Sequence, residues 1–306
     1  MFENIIGNEK VKETLKKSII ANRLSHSYMF IGIDGIGKQL FAKEFAKQIL
    51  CIDSEKIKTG TYCNKCKSCI EFDSSNNPDF KIIDIVPEEK SIKIEQIRNM
   101  QIKIAEKPIV SDKKVYIINN ADTMTREAQN CLLKTLEEPP EYVTIILIGQ
   151  NENNFLTTIK SRCTKINFNK IPDTSIKEYI KENLNITDIQ DGIIVLCNGS
   201  IGKAIKYKEN EQNYLSLKNI VENIDKTDVI EILGMAEPLY KAKDTIYELL
   251  DSLNIMCLKR AKENIKMANC IPIIEQTKTS LKSNSNFDMS IDNMIFNLWR
   301  EVNWKT

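Results

Sequence analysis

A glycine-rich loop constrains the fold of this chain more than any other feature of its sequence. An apolar run at 27–31 leads into the loop GIDGIGK at 32–38, and a helical pattern starts directly afterwards. This strand–loop–helix order matches the P-loop, in which backbone amides and a lysine hold nucleotide phosphates at a helix N-terminus. The candidate phosphate-binding residues are Gly32, Gly35, Gly37 and Lys38. The loop therefore predicts an α/β core with a parallel sheet.

The residue after the P-loop lysine departs from the motif. It should be serine or threonine, whose hydroxyl coordinates the magnesium ion that bridges the phosphates, but it is Gln39. A glutamine side chain is longer and fits a tight octahedral magnesium shell poorly. We therefore expect weak nucleotide binding or none, and a plain strand-to-helix turn is an alternative role for the glycines.

The second half of an ATPase site is also missing. Such a site needs acidic residues at the end of an apolar strand, to hold magnesium and to activate water. Here the strand at 114–118 ends in Asn119 and Asn120, and Asp122 comes two or three positions too late. Neither amide can hold magnesium by charge or accept a proton from water, so we expect no intrinsic ATP hydrolysis.

The remaining pattern divides the chain into an α/β part and a helical part. Further apolar strands are predicted at 80–85, 114–118 and 143–148, and a helix at 125–136. Short helices are predicted at 173–184, 187–198 and 201–209, and helices throughout 213–306 apart from a polar loop at 277–286. We predict an α/β core at 1–168, a small helical lid at 169–210 and an all-α domain at 211–306.

Four of the nine cysteines lie in one short stretch, with the spacing C-x11-C-x2-C-x2-C. They are Cys51, Cys63, Cys66 and Cys69. Four thiolates at this spacing suit a structural tetrahedral zinc site, although the spacing alone also allows an iron–sulfur cluster or unbound thiols. The other five cysteines are scattered, which favours reduced thiols over a disulfide framework.

Charge and hydropathy argue against several classes of protein. Lys and Arg total 43 against 42 Asp and Glu, so the chain lacks the positive charge of a free-standing DNA-binding protein. It has no apolar run of about 18 residues and no signal-peptide pattern, so we expect a cytoplasmic protein without a membrane segment. Any contact with DNA is then expected within a larger assembly.

Three further motifs carry a family resemblance. They are ADTM at 121–124, AQNCLLKTLEEPP at 128–140 and SRC at 161–163. Together with the altered P-loop, they resemble the bacterial clamp-loader AAA+ family from Phe2 to about Lys208. The resemblance implies an AAA+ core and lid followed by a helical collar domain that holds a ring of subunits together. It also favours structural zinc at the four cysteines.

The SRC motif of that family implies a role for Arg162 as an arginine finger. The family's arginine reaches across a subunit boundary into a neighbour's ATP site, where a guanidinium stabilises charge on the γ-phosphate. Taken alone, Arg162 is equally compatible with a surface or salt-bridging residue. A motor subunit of the family is also expected to carry a nucleotide-sensing arginine in the lid, where this chain has Gly202.

The altered motifs and the intact SRC motif together predict a non-hydrolysing subunit that scaffolds the clamp-loader ring of a DNA polymerase III holoenzyme. The expected partners are gamma/tau motor subunits and a delta subunit, and through them the sliding clamp and primed DNA. Two alternatives stay open. One is an active gamma/tau-like motor in which Asp122 or Glu137 replaces the missing ligands. The other is a module that binds nucleic acid or a replication protein through its cysteine cluster.

Overall fold

The chain forms two compact units in a computed structural model that describes residues 2–184, 191–283 and 285–303. The first unit comprises Met1–Ile176 and Gly199–Gly202, and the second comprises Lys177–Asn198 and Lys203–Thr306. The boundaries of a core, a lid and a C-terminal domain at 168 and 210 stay predictions. Residues 187–190, where a helix is predicted to begin, lie outside the described residues.

The first unit is built around a five-stranded sheet, which is parallel as the sequence predicts and has one strand more than the four predicted. Its strands are β1 (Ser27–Ile31), β2 (Phe80–Ile83), β3 (Lys114–Ile118), β4 (Val143–Gly149) and β5 (Thr164–Asn167), in the order β2-β3-β4-β1-β5. β3 and β4 are buried along their whole length, which explains their continuous apolar runs. The sequence does not predict β5, because only Ile166 of its four residues is buried and the others are polar.

Helices cover both faces of this sheet. They are α1 (Glu9–Ile20), α2 (Lys38–Leu50), α3 (Ser54–Lys58), α4 (Lys67–Asp73), α5 (Ile94–Ile104), α6 (Arg126–Glu137), α7 (Thr157–Lys160) and the start of α8 (Asp173–Asn183), with 3-10 turns at Ala121–Thr123 and Glu152–Asn154. α5 and α6 bury Ile97 and Leu132 in the apolar cluster on one face. On the other face, Phe45 of α2 packs against the Tyr28 ring at 5.1 Å between centroids.

Helix α6 begins and ends one residue later than the predicted 125–136. The Thr125 hydroxyl accepts the N–H of Ala128 at 3.2 Å and so caps the first turn. Pro139 and Pro140 cannot continue the helix, because proline lacks an N–H and clashes with the preceding turn. Glu137 is therefore the last helical residue.

The described part of the second unit is helical, as predicted. Its further helices are α9 (Asp191–Cys197), α10 (Ile201–Glu209), α11 (Glu211–Asn223), α12 (Val229–Met235), α13 (Glu237–Tyr240), α14 (Ile246–Arg260), α15 (Cys270–Lys282) and α16 (Phe287–Asn303), with a 3-10 turn at Ile265–Asn269. The loop predicted at 277–286 is wrong for 277–282, since α15 continues to Lys282. The Thr277 and Thr279 hydroxyls donate to carbonyls four residues earlier, at 2.9 and 3.0 Å, and so remain satisfied within the helix.

None of the helices among the described residues combines the length and the apolar character that a membrane span requires.

Asp79, which directly precedes β2, organises the loop before β3. The residue is 2% exposed, and its carboxylate accepts the backbone N–H groups of Ile109, Val110 and Ser111 at 2.8, 2.7 and 2.8 Å. The Ser111 hydroxyl in turn shares a hydrogen bond of 2.8 Å with the hydroxyl of Ser68 on α4. This buried polar group therefore connects the cysteine-rich stretch to the sheet.

Replacing Asp79 with alanine is expected to lower the free energy of unfolding by about 3 kcal/mol, because three backbone amides lose a buried, charged acceptor. Urea denaturation followed by circular dichroism measures the change. Asp112→Ala, an exposed aspartate in the same loop, is the matched control and should change stability by no more than about 0.5 kcal/mol. Similar losses in the two variants would contradict the structural role of Asp79.

Candidate functional site

The predicted P-loop lies between β1 and α2, and its geometry requires its glycines. Gly37 directly precedes α2 with φ 95°, and Gly35 has φ 69°. A side chain is disfavoured in this left-handed region of backbone conformation. At Gly32, an added Cβ would lie 2.8 Å from the Cβ of Phe168. The three glycines are thus needed for the shape of the loop, whatever the loop binds.

The lysine of the loop bonds to the loop itself. The Lys38 ammonium donates to the carbonyl oxygens of Gly32 and Ile33 at 2.7 and 2.8 Å, and the residue is 7% exposed. Burial lowers the pKa of Lys38, and the carboxylates of Asp34 and Asp122 partly oppose that change. A phosphate group in the loop therefore has to compete with two carbonyl oxygens for this ammonium.

The segment Gly199–Gly202, which belongs to the first unit, lies against the P-loop. The Gly202 N–H donates to the Gly35 carbonyl at 2.8 Å. A Cβ added to Gly202 would lie 2.5 Å from the Gly35 Cα, and one added to Gly35 would lie 2.5 Å from the Ser200 Oγ. This close approach of two backbones requires glycine at 202. An arginine cannot occupy that position unless the loop moves.

Replacing Gly202 with alanine is expected to lower the free energy of unfolding by about 1–3 kcal/mol, because the added methyl group overpacks this backbone contact. Gly234→Ala is the matched control, since no atom lies within 4 Å of a Cβ added there. In a helix that change should be neutral or raise stability by up to about 1 kcal/mol. Guanidinium unfolding curves compare the two variants. Equal stabilities would mean that the contact between Gly35 and Gly202 is not tight.

At the end of β3, two amides are held by a carboxylate. The Asn119 Nδ2 donates to the Asp84 Oδ2 at 2.7 Å, and the Asn120 Nδ2 donates to the Asp84 Oδ1 at 2.9 Å. Asp84 directly follows β2, the strand next to β3. Both carboxylate oxygens are therefore engaged, at the strand end where an ATPase carries the acids for magnesium and for the attacking water.

The two acids that an active motor would use in place of the missing ones also have hydrogen-bond or ion-pair partners. The Asp122 Oδ2 accepts the backbone N–H groups of Gln150 and Asn151 at 3.0 Å each, and so holds the loop after β4. The Glu137 Oε1 pairs with the Arg162 guanidinium at 2.8 Å. Each carboxylate thus has a structural partner within this chain.

Arg162 lies between α7 and β5, and its backbone is fixed. Its N–H donates to the Ile159 carbonyl at 3.0 Å, and its carbonyl accepts the Ser27 hydroxyl at 2.6 Å. The guanidinium donates through Nη1 to the Thr158 carbonyl at 2.9 Å and through Nη2 to Glu137. The side chain remains 34% exposed. An anchored backbone therefore presents a guanidinium at the surface.

The four predicted metal ligands come together. Their Sγ atoms all lie within 4.8 Å of one another, with 3.8 Å between Cys51 and Cys63 and 4.0 Å between Cys63 and Cys69. A tetrahedral zinc ion with Zn–S bonds of about 2.3 Å separates its sulfur atoms by about 3.8 Å. The size of the cluster and its donor set of four thiols therefore fit such an ion.

The surroundings distinguish the four thiols. Burial raises the pKa of Cys51 and of Cys69. Burial acts in the same direction on Cys63, but the backbone N–H groups of Lys65 and Cys66 outweigh it and lower the pKa of Cys63 to about 7. Metal binding requires thiolates, and these hydrogen bonds favour the thiolate form of Cys63.

The cysteine module, residues 51–69, is attached to the helix that follows the P-loop. Lys47 of α2 donates to both oxygens of Asp73 at 2.6 and 2.9 Å, and its ammonium lies 4.3 Å from the centre of the Tyr62 ring. The Tyr62 hydroxyl donates to Glu44 of α2 at 2.9 Å. Burial raises the pKa of Tyr62, and this hydrogen bond raises it further.

The sequence did not predict two residues of the site, Asp84 and Ser27, or the pairing of Glu137 with Arg162. The predicted strand at 80–85 runs past Asp84, whereas β2 ends at Ile83 and leaves Asp84 at the sheet edge where the carboxyl ends of neighbouring parallel strands meet. Ser27 and Glu137 carry no local signal for their contacts with Arg162, which is 135 positions from Ser27.

Comparison with known proteins places the chain in a family. Residues 7–172, more than half of the chain, match a family model described as DNA polymerase III, delta subunit. The chain is 32% identical to the DNA polymerase III subunit delta′ of Bacillus subtilis over 203 residues, which are 66% of this chain and 60% of the relative. It is 30% identical to the DNA polymerase III subunit tau/gamma of Haemophilus influenzae over 254 residues, 81% of this chain and 35% of the relative. The chain thus spans less than two thirds of both relatives.

A solved structure supports the fold. The DNA polymerase III gamma subunit-related protein of Thermotoga maritima superimposes with a TM-score of 0.53, over 95% of this chain and 99% of that chain. Because the two sequences are 18% identical, the match concerns the architecture alone.

Proposed function

This chain belongs to the DNA polymerase III delta-subunit family of clamp-loader proteins, and we propose that it is a clamp-loader subunit of the delta-prime type. It keeps the shape of an AAA+ ATPase, hydrolyses no ATP itself and donates Arg162 to the ATP site of a neighbouring subunit. The observation that carries this proposal is the pairing of Asn119 and Asn120 with Asp84. The strand end that serves catalysis in an ATPase serves a structural hydrogen-bonded group here.

The P-loop adds support for a subunit without turnover. Lys38 donates to two loop carbonyls, and Gln39 follows it without a hydroxyl for magnesium. The Gly35–Gly202 contact leaves no room for a sensing arginine in the lid. Each feature weakens one requirement of catalysis, and together they favour weak nucleotide binding or none.

Arg162 supplies the chemistry that this chain contributes. A guanidinium keeps its charge at every physiological pH and offers a planar fork of donors, which suits the oxygens of a phosphoryl group. It acts in the transition state by stabilising charge on the transferred phosphate. Its fixed backbone and half-exposed side chain suit donation across a subunit boundary.

The four cysteines would hold a structural zinc ion. A closed shell of four thiolates leaves no open position for a substrate or a water molecule, so the ion would stabilise the module and take no part in a reaction. The contacts of Tyr62 with Lys47 and Glu44 of α2 would pass that rigidity to the helix that follows the P-loop.

The remaining parts of the proposal concern assembly. The chain would complete a loader ring with gamma/tau motors and a delta subunit, with its helical C-terminal part as the collar that joins the ring. The assembled ring would open the sliding clamp and place it on primed DNA in the cytoplasm. The chain would thus be part of a DNA polymerase holoenzyme by association and without polymerase chemistry of its own.

An active motor is the second candidate, because tau/gamma subunits are among the relatives at about the same identity as delta′. Such a motor needs an acid for magnesium and one for water. Asp122 bonds to two backbone amides and Glu137 to Arg162, which favours the non-hydrolysing subunit. A third candidate, a binding module built on the cysteine cluster, would need the cysteines but not Arg162.

A reconstituted complex of this chain with gamma-type motors and a delta subunit tests the proposal by its DNA-stimulated ATP turnover. The isolated chain should hydrolyse no ATP, and Arg162→Ala should remove a large share of the ATP turnover of the complex. Magnesium-dependent turnover by the isolated chain would instead support the motor. Binding that is lost with the cysteines and unchanged by Arg162→Ala would support the binding module.

A further inference from the structure

We infer that Glu137 is a positioning residue for Arg162: it holds the guanidinium inside this chain and gives it up when a neighbour's nucleotide phosphate becomes available. This inference rests on the proposed function. It assigns Glu137 a regulatory contact in place of the metal-ligand role that an active motor would give it.

The geometry brings the two residues together from separate motifs. Glu137 ends α6, and Arg162 follows α7, so 25 positions of chain separate them, and the Arg162 Nη2 still lies 2.8 Å from the Glu137 Oε1. The prolines that stop α6 fix where its last carboxylate lies. The hydrogen bond between the Ser27 hydroxyl and the Arg162 carbonyl fixes the backbone on the other side.

Helix stability does not explain a carboxylate at this position. The C-terminal end of a helix carries partial negative charge, so an acidic side chain in the last turn is unfavourable. Glu137 occupies the last residue of α6, and the cation that offsets its charge is Arg162. The pair therefore accounts for a glutamate where the helix alone would disfavour one.

The pair is also weak enough to be exchanged. The side chains of Arg162 and Glu137 are 34% and 49% exposed, and ion pairs of that exposure shift an equilibrium by only about two- to fivefold. A nucleotide phosphate carries more charge than one carboxylate and takes the same fork of donors. The carboxylate thus holds the finger in the absence of nucleotide, and a phosphate in the neighbouring site displaces it.

Only the side chain has to move in this exchange. The Arg162 N–H and carbonyl stay bonded to Ile159 and Ser27, while the guanidinium leaves Glu137. Glu138 is the natural comparison: it is the next residue, it is exposed, and no ion pair is found for it among the described residues.

The test uses the complete complex, with motors, delta subunit and DNA, and measures kcat/KM for ATP. Glu137→Gln should raise kcat/KM about two- to fivefold at low salt, because the finger is no longer held back. The gain should shrink towards zero at about 0.5 M salt, where the ion pair of the wild type is screened. Glu138→Gln should match the wild type at both salt concentrations.

A double variant separates this role from a structural one. If Glu137 acts through Arg162, Glu137→Gln should have no effect in an Arg162→Ala background. A gain that persists there, or equal results for Glu137→Gln and Glu138→Gln, would overturn the inference. Loss of stability in Glu137→Gln with unchanged kinetics would overturn it as well, by showing that the pair only holds α6 to α7.

The proposed function fails in a different way. An Arg162→Ala complex with full turnover would refute the arginine finger and this inference together. If Arg162→Ala lowers turnover as proposed, but Glu137→Gln in a complex that keeps Arg162 behaves like Glu138→Gln, the inference alone is refuted.

Discussion

Replacing Arg162 with alanine is expected to slow ATP hydrolysis at the neighbouring subunit's site by about 10³-fold or more, which is the usual contribution of an arginine finger to phosphoryl transfer. The loss should appear mainly in kcat, because the guanidinium stabilises charge that develops in the transition state. Motors whose fingers come from other subunits keep their own turnover. The total rate of the complex should therefore fall to the level that those other sites sustain.

Single-turnover measurements in the reconstituted complex resolve this loss. Arg162→Lys is the informative second variant, since lysine keeps the charge but not the planar fork, and it should recover only a small part of the rate. Arg126→Ala is the matched control, because Arg126 is an exposed arginine at the start of α6. Equal rates for Arg162→Ala and Arg126→Ala would show that Arg162 serves no neighbouring site.

Replacing Cys66 with serine is expected to abolish stoichiometric metal binding and to unfold the cysteine module. Serine is a poor ligand for zinc, and three remaining thiolates leave the tetrahedral shell open. Structural zinc contributes roughly 10–16 kcal/mol to the folding of isolated zinc-finger peptides. The cost here should be smaller, at several kcal/mol, because contacts through Ser68 and Tyr62 hold the module to the core as well.

Inductively coupled plasma mass spectrometry measures the loss of metal. Thermal unfolding with and without a chelator measures the loss of stability. Cys66 is half-buried, so its replacement tests the ligand more than the packing. Cys131→Ser is the matched control: Cys131 is also half-buried and its thiol donates to the Gln101 Oε1 at 3.2 Å, which a hydroxyl can replace. A wild type without metal, or a Cys66→Ser protein with the same metal content, would contradict the zinc proposal. Visible absorption by the wild type would indicate an iron–sulfur cluster instead of zinc.

Much of the α/β part could be predicted because its signals are local. The apolar runs of β1, β3 and β4 and the glycines of the loop depend on burial and on backbone conformation within a few residues. Two errors in the predicted elements have identifiable causes. β5 has a polar sequence because it lies at the sheet edge, and the threonines of α15 stay helical because their hydroxyls bond to carbonyls one turn earlier.

The cysteine cluster could be predicted from the sequence only in part. Its spacing indicates a tetrahedral site, because residues in C-x2-C are always close in space. Cys51 is 12 positions from Cys63, and its inclusion in the cluster depends on how α2, α3 and the following turn fold together. The sequence proposes the ligands, and the tertiary structure brings their Sγ atoms within 4.8 Å.

By itself, the sequence determined the strand–loop–helix of the P-loop, the absence of its metal-binding hydroxyl and strand-end acids, and the presence of an SRC motif. The tertiary structure alone decided what occupies those positions: Asp84 holds Asn119 and Asn120, and Glu137 holds Arg162. The reason is physical. The identity of a single residue shows that a ligand for magnesium is missing. The contacts found in its place join residues that are 25 to 36 positions apart in the sequence. The contact of Asp84 forms only when the parallel sheet aligns its strand ends, and that of Glu137 forms only when the end of α6 lies beside the residues after α7. No local periodicity encodes either arrangement.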